Sequence, residues 1–75
     1  MAEVRLPDLG ETGEVTIVEW FKHEGDAVSS GEELLEVETE KTTFVVEAPS
    51  SGRLTHIVKL RGAKARLHDL LARVE

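Results

Sequence analysis

The chain has 75 residues, which allows one domain, 1–75, with one small core. It contains no cysteine, and this excludes disulfides, thiolate catalysis and cysteine-based zinc or iron–sulfur sites. Fifteen acidic against nine basic residues give a net charge of −6, which disfavours nucleic acids and anionic membrane surfaces as partners. With no apolar run of membrane-spanning length and no signal-peptide pattern, we expect a soluble cytoplasmic protein, or one of the mitochondrial matrix if a transit peptide was removed.

Strands are predicted along the first sixty residues, where β-branched and apolar segments alternate with glycine and proline turns. In chain order these segments are 4–6, 15–21, 34–39, 42–48 and 54–60, with loops or turns at 10–13, 25–26 and 49–52. The apolar phase of the second segment shifts between Ile17 and Val18, which indicates a bend or bulge. A tight connection at Glu40-Lys41 separates the third segment from the fourth.

The last fifteen residues give two conflicting signals. Leu67, Leu70, Leu71 and Val74 follow helical spacing, which by itself predicts a helix over 63–74. A repeat opposes this interpretation, because the glycine and apolar positions of one segment recur at an offset of 62 − 25 = 37 residues. The two copies are Gly25-x-x-Val28-x-x-Gly31-x-x-Leu34-x-x-Val37 and Gly62-x-x-Ala65-x-x-His68-x-x-Leu71-x-x-Val74. Since a helix would not tolerate the glycines of the first copy, we predict a turn followed by a strand in both.

The repeat also predicts the architecture. Two equivalent half-sheets that fold onto each other give a β-sandwich or flattened barrel, which suits a short chain without disulfides. Shifting Lys41 back by the offset of 37 gives 41 − 37 = 4, which assigns Val4 as its symmetry partner. Shifting it forward by the same offset gives a position beyond the last residue, Glu75. The two chain ends should therefore lie on neighbouring strands, far from Lys41, where a second hairpin tip would otherwise stand.

A motif between two strands carries a family resemblance. Glu38-Thr39-Glu40-Lys41-Thr42 is followed by Ala48-Pro49-x-x-Gly52 and preceded by Leu6-Pro7-Asp8-Leu9-Gly10-Glu11, Trp20 and the first repeat copy. Through these residues the chain resembles the lipoyl domains of 2-oxo acid dehydrogenase complexes, within the biotinyl/lipoyl attachment family. The resemblance implies an all-β barrel-sandwich hybrid, in which two four-stranded antiparallel sheets are related by quasi-twofold symmetry. It also implies that Lys41, at a hairpin tip, is amide-linked to lipoate, with Glu40 and Thr42 recognised by the attaching ligase.

The function implied by the resemblance is that of a carrier without catalytic residues. Lipoyl-Lys41 would act as a swinging arm that moves acyl groups and reducing equivalents between active sites. The implied partners are a lipoate ligase or lipoyl transferase, a thiamine-diphosphate-dependent decarboxylase, an acyltransferase core and a dihydrolipoyl dehydrogenase. The domain itself is expected to be monomeric, either freestanding or part of a dihydrolipoyl acyltransferase.

Two other functions stay open from the sequence. A biotin carboxyl carrier has the same fold but usually places methionine on both sides of its lysine, whereas Lys41 lies between Glu40 and Thr42. The other alternative is an unmodified interaction module, since an exposed lysine at a hairpin tip is commonly only a solvated charge.

The remaining sequence features indicate structure rather than chemistry. His23, His56 and His68 have no metal-ligand spacing, so they are expected at the surface or in turns, and we expect no metal site. The predicted core comprises Trp20, Leu34, Val37, Val46, Leu54 and Ile57. Three features depart from the family pattern: Ala65 replaces valine, His68 replaces glycine, and the 10–15 loop is about one residue shorter than in many relatives.

Overall fold

The computed structural model describes residues 2–8 and 13–75, and every regular element among them is a strand. In chain order the strands are β1 (Ala2–Arg5), β2 (Val15–Trp20), β3 (Ala27–Val28), β4 (Glu33–Glu38), β5 (Thr43–Glu47), β6 (Gly52–Ile57), β7 (Lys64–Ala65) and β8 (Leu70–Val74). They form two antiparallel four-stranded sheets with the orders β1-β8-β6-β3 and β5-β4-β2-β7. The predicted all-β architecture is confirmed. No helix suited to crossing a membrane occurs in the described part of the chain.

The core consists of apolar side chains from both sheets. Side chains alternate between core and solvent along most strands, whereas β4 and β8 each bury two successive residues. The bulkiest fully buried side chains include Ile17, Leu34, Leu54 and Leu71. Burying a leucine or isoleucine of this kind contributes about 1.5–3 kcal/mol, so the core is the main source of stability. Of the predicted core residues, Leu34, Val37, Val46 and Leu54 are buried, whereas Trp20 and Ile57 are half-buried and pack against the core.

The quasi-twofold symmetry extends to the irregularities of the strands. The register of β2 against β4 shifts between Ile17 and Glu19, which confirms the predicted bulge. The register of β6 against β8 shifts between Leu54 and His56, and both positions lie 37 residues further along the chain. Bulges are specific backbone features. Their recurrence shows that the repeat is structural as well as sequential.

Strand β6 is shorter than the sequence predicted, because it ends at Ile57 rather than at residue 60. Ile57 pairs with Ala72 on β8, and its N–H donates to the side chain of Glu24, to Oε2 at 2.8 Å. The strand begins at Gly52, where a Cβ atom would stand 2.5 Å from the carbonyl oxygen of Glu75. The proline–glycine turn of the sequence thus ends at a position where a larger residue would collide with the backbone of the last residue.

The C-terminal segment contains a turn and two strands rather than a helix, as the repeat predicted. In the turn before β8, the N–H of Arg66 donates to Asp69 Oδ2 at 2.8 Å. The same bond joins Ser29 N–H to Glu32 Oε1 at 2.9 Å in the turn before β4. His68 has a φ of 69°, close to the 85° of Gly31 at the equivalent position. The replacement of glycine by His68 therefore leaves the turn geometry unchanged but places an L-residue in a left-handed conformation.

One symmetry assignment made from the sequence is wrong. Val4 pairs with Ala72, and Val46 pairs with Leu35, which is the repeat equivalent of Ala72 because 72 − 37 = 35. Val4 therefore corresponds to Val46 at an offset of 46 − 4 = 42, and it is not the partner of Lys41. The offset differs because β1 precedes the repeat and receives its register from β8, at the far end of the chain.

The two chain ends lie next to each other, which confirms their expected adjacency. Ala2 pairs with Val74 in neighbouring antiparallel strands. The N–H of Glu75 donates to the carbonyl oxygen of Arg53 on β6 at 2.8 Å, within the same sheet. The Lys41 connection belongs to the other sheet, between β4 and β5. The hairpin and the chain ends thus occupy corresponding places in opposite sheets.

Candidate functional site

Lys41 lies in the connection of a β-hairpin. Strands β4 and β5 are antiparallel, and the last pair of the hairpin joins Glu38 to Thr43, which leaves 39–42 as the connecting residues. The three site residues predicted from the sequence, Glu40, Lys41 and Thr42, are adjacent in this connection and all exposed. Neither Glu40 nor Lys41 has a positive φ, so the tip needs no glycine.

Thr39 organises this connection. Its N–H donates to the carbonyl oxygen of Thr42 at 2.8 Å and closes the base of the turn. Its hydroxyl oxygen accepts the N–H groups of Lys41 and Thr42, each at 3.2 Å, and donates to the carbonyl oxygen of Thr42 at 3.0 Å. Thr39 was not among the site residues predicted from the sequence. The available signal was a hydroxyl residue at the start of a four-residue turn, a position from which serine and threonine bond the backbone two or three residues further on.

The ε-amine of Lys41 is available for chemistry. Among the described residues it makes no hydrogen bond and no ion pair, and its side chain extends from an exposed turn. A primary amine on a four-carbon stem can form a stable amide with a carboxylic acid, and the exposed tip gives an enzyme access to it. The residues present therefore fit a cofactor that is attached through its carboxyl group.

The hairpin belongs to an acidic sheet. Glu36 on β4 stands opposite Glu19 on β2, and Glu33 on β4 stands opposite Glu47 on β5. Like charges directly opposite each other in a sheet are mutually destabilising. No ion pair joins any of these four glutamates to a cation in the described part of the molecule. The sheet that contains the Lys41 hairpin thus carries two pairs of opposed negative charges along its strands.

A shallow cleft of about 430 Å³ lies at the far end of β2 from the hairpin. It is lined by Glu19, Trp20, His23, Ile57, Leu60 and Arg61. The indole N–H of Trp20 donates to the carbonyl oxygen of Lys59 at 2.8 Å, so the polar atom of this ring already has a partner. The cleft thus combines three apolar side chains with three polar or charged ones, and it does not include the Lys41 hairpin.

The histidines lie where the sequence predicted. His23 and His68 are exposed at turns, and His56 is exposed on β6. Within residues 2–8 and 13–75, no three histidine, aspartate or glutamate side chains are grouped so that they could hold a metal ion. Residues 10–12 of the 10–15 loop, which the sequence predicts to be shorter than in many relatives, lie outside the described residues.

Comparison with known proteins gives a consistent result. The Biotin_lipoyl family model, described as "Biotin-requiring enzyme", matches residues 2–74. A Rickettsia bellii protein named as the dihydrolipoyllysine-residue succinyltransferase component of the 2-oxoglutarate dehydrogenase complex is 48% identical over 68 residues, covering 89% of this chain and 17% of that protein. Its namesake from Bartonella vinsonii is 42% identical over 74 residues, covering 97% of this chain and 18% of that protein.

The fold is also found among solved structures. The lipoyl domain of the 2-oxoglutarate dehydrogenase complex from Azotobacter vinelandii superposes with a TM-score of 0.81 at 28% identity, and the match covers 100% of this chain and 96% of that domain. The chain thus corresponds to nearly the whole of one solved domain but spans less than a fifth of the two succinyltransferase components.

Proposed function

Because the chain belongs to the biotinyl/lipoyl attachment family and is a lipoyl carrier domain, we propose that Lys41 is the residue that carries the cofactor, as lipoate in amide linkage. The observation that carries the assignment of Lys41 is its unpartnered amine in the exposed β4–β5 connection. Two of the other three lysines have a partner for the amine, whereas Lys59, whose amine has none among the described residues, is half-buried between β6 and β7 rather than in a hairpin connection. Lys22 is paired with Glu32, and Lys64 Nζ donates to Thr16 Oγ1 at 2.7 Å.

Attachment through Lys41 suits the action of a carrier. When bound, lipoate supplies a dithiolane that accepts an acyl group and electrons and is later reoxidised. The lysine stem lengthens the arm, and the exposed turn leaves it free to reach active sites in more than one direction. The chain contributes position and recognition, and Glu40 and Thr42 are placed on either side of Lys41 for a ligase to contact.

The partners are proposed from the relatives. The two succinyltransferase components belong to 2-oxoglutarate dehydrogenase complexes, which favours the same kind of complex for this chain. We assign it a lipoate ligase or lipoyl transferase, a thiamine-diphosphate-dependent decarboxylase, an acyltransferase core and a dihydrolipoyl dehydrogenase. Tethering the arm on such a domain raises its effective concentration at each active site, to about the millimolar range for short flexible linkers.

Intact-mass analysis tests both the residue and the cofactor. The chain would be incubated with lipoate, ATP and a lipoate ligase, and separately with biotin, ATP and a biotin ligase. We expect one lipoyl group on the native chain, none on Lys41→Ala, and no biotinylation. Because amide formation removes one positive charge, the net charge should change from −6 to −7, and the product should migrate faster towards the anode on a native gel.

Matched variants at Lys22, Lys59 and Lys64 provide the control, since each should remain a full substrate. Lipoylation of Lys41→Ala would contradict the assignment of the residue. Efficient biotinylation of the native chain would favour the biotin carrier alternative, and absence of both modifications would favour an unmodified interaction module.

A further inference from the structure

The hydroxyl of Thr39 uses its full hydrogen-bonding capacity within one turn. A hydroxyl has one hydrogen to donate and two lone pairs to accept with. In Thr39 the hydrogen is directed to the carbonyl oxygen of Thr42, and the oxygen accepts the N–H groups of Lys41 and Thr42. Three bonds from one half-buried side chain therefore converge on the two residues that end the connection.

The bonds to the Thr39 hydroxyl replace the backbone hydrogen bond that a β-turn commonly has. In a β-turn the N–H of the fourth residue often donates to the carbonyl oxygen of the first. Here the described residues show no backbone bond from Thr42 N–H to Thr39 O, and Thr42 N–H donates to the Thr39 hydroxyl instead. The N–H of Lys41 has the same hydroxyl as its acceptor. The conformation at Lys41 thus depends on a side chain rather than on the backbone ladder.

The sequence of the tip provides no other rigid element. Glu40 and Lys41 lack the fixed φ of proline, and their exposed side chains pack against no core. The base of the hairpin is held separately, by Thr39 N–H to Thr42 O at 2.8 Å and by the β4–β5 ladder. Loss of the hydroxyl should therefore loosen the Lys41 backbone and leave the two strands paired.

We propose that Thr39 is a positioning residue for cofactor attachment: its hydroxyl holds the 40–42 backbone in the conformation in which a ligase accepts Lys41. This inference rests on the proposed function, since it deepens the recognition of the same site. In the attachment step the Lys41 amine attacks the carboxyl carbon of a lipoyl adenylate made from lipoate and ATP. A C–N amide bond forms, the bond to the phosphate oxygen breaks, AMP leaves, and the amine proton passes to solvent.

The expected effect is on binding more than on turnover. If the tip samples other conformations, only the fraction with the correct shape binds the ligase, and the apparent dissociation constant rises as that fraction falls. Thr39→Val keeps the shape of the side chain but removes the hydroxyl. Losing a set of exposed hydrogen bonds of ordinary strength should raise KM for the protein substrate about fivefold, with kcat nearly unchanged.

The experiment compares four forms of the chain as substrates of lipoate ligase. Native chain and Thr39→Ser keep the hydroxyl, Thr39→Val lacks it, and Thr43→Val removes a neighbouring exposed hydroxyl that makes no hydrogen bond in the described structure. We expect a raised KM for Thr39→Val alone. In the unmodified proteins, the {¹H}–¹⁵N NOE of the Lys41 and Thr42 amides should fall in Thr39→Val, while thermal unfolding and the β4–β5 amide signals stay as in the native chain.

The possible results distinguish the role of the Thr39 hydroxyl from the proposed function. Equal KM values for the native chain and Thr39→Val, or a Thr39→Ser variant as poor as Thr39→Val, would overturn the role of the hydroxyl. An equal rise of KM in Thr43→Val would overturn it as well, because the effect would then not be specific to the turn. Failure of the ligase to modify the native chain would instead contradict the proposed function, and the NOE values would still show whether Thr39 orders the turn.

Discussion

Replacing His68 with glycine should stabilise the fold. His68 has a φ of 69°, a left-handed conformation that costs an L-residue about 1–2 kcal/mol. Its imidazole is exposed and makes no hydrogen bond within the described structure, so little is lost with the side chain. The backbone bonds would remain, namely His68 N–H to Leu6 O at 2.9 Å and Arg5 Nη1 to His68 O at 2.9 Å.

The size of the effect is the difference between two backbone contributions. Relief of the left-handed conformation stabilises the folded state, whereas glycine gives the unfolded chain extra conformational entropy that costs about 0.4–1 kcal/mol. The middle of each range, about 1.5 against about 0.7 kcal/mol, leaves a stabilisation of about 0.8 kcal/mol. For a domain of this size that corresponds to a rise in Tm of ~3–6 °C.

Thermal unfolding by circular dichroism, and urea unfolding followed by the fluorescence of Trp20, would measure the change. His68→Ala is the matched control, because it removes the imidazole but keeps the left-handed φ, and its stability should stay near that of the native chain. Gly31→Ala tests the reciprocal change: no atom lies within 4 Å of the added Cβ, so its expected loss of ~1 kcal/mol is due to backbone conformation alone. A His68→Gly variant no more stable than His68→Ala would refute the reasoning.

Two further predictions concern single interactions. The hydrogen bond from Lys22, assisted by the bond from Ser29 N–H, holds the pKa of the Glu32 carboxyl below its ordinary value. The charged carboxylate therefore stabilises the fold at a pH above the ordinary pKa, and this stabilisation is lost as the pH falls through the lowered pKa. Urea unfolding should therefore show a deficit for Glu32→Gln at neutral pH that disappears in acid, and a deficit independent of pH would contradict this. Trp20→Phe removes the bond from the indole N–H to Lys59 O and should cost about 0.5–1.5 kcal/mol in thermal unfolding; an unchanged Tm would show that the bond contributes nothing.

The sequence was sufficient for the architecture because the repeat constrains local signals. Taken alone, the spacing from Leu67 to Val74 predicts a helix, and only its equivalence to the glycine-containing first copy indicates a turn and a strand. The bulge after Ile17 was predictable for a related reason, since the alternation of apolar residues itself shifts there. Such signals lie within short segments, where sequence patterns are informative.

Local sequence patterns do not predict the register of distant strands or the hydrogen bonds of side chains. The correspondence of Val4 with Val46 depends on the pairing of β1 with β8, and no local pattern encodes which residues of two distant strands stand opposite each other. Thr39 could be recognised as a strand-end residue with a hydroxyl, but the three bonds of that hydroxyl exist only after the turn has closed. The position of Lys41 was predictable, whereas what holds its backbone was not.

Each sheet contains strands from both copies of the repeat: β3 joins β6, and β7 joins β2. The contacts between the copies are reciprocal, since Gly25 N–H donates to Leu54 O at 2.6 Å and Gly62 N–H donates to Ile17 O at 2.8 Å. Such reciprocity defines an isologous interface between two identical subunits. The two halves of this single chain therefore exchange strands as the subunits of a strand-exchanged homodimer would. Neither half of the sequence contains a complete sheet of its own. Since the pairings of β1 with β8 and of β2 with β7 close long loops, we expect folding to be all-or-none and slow for a chain of this length.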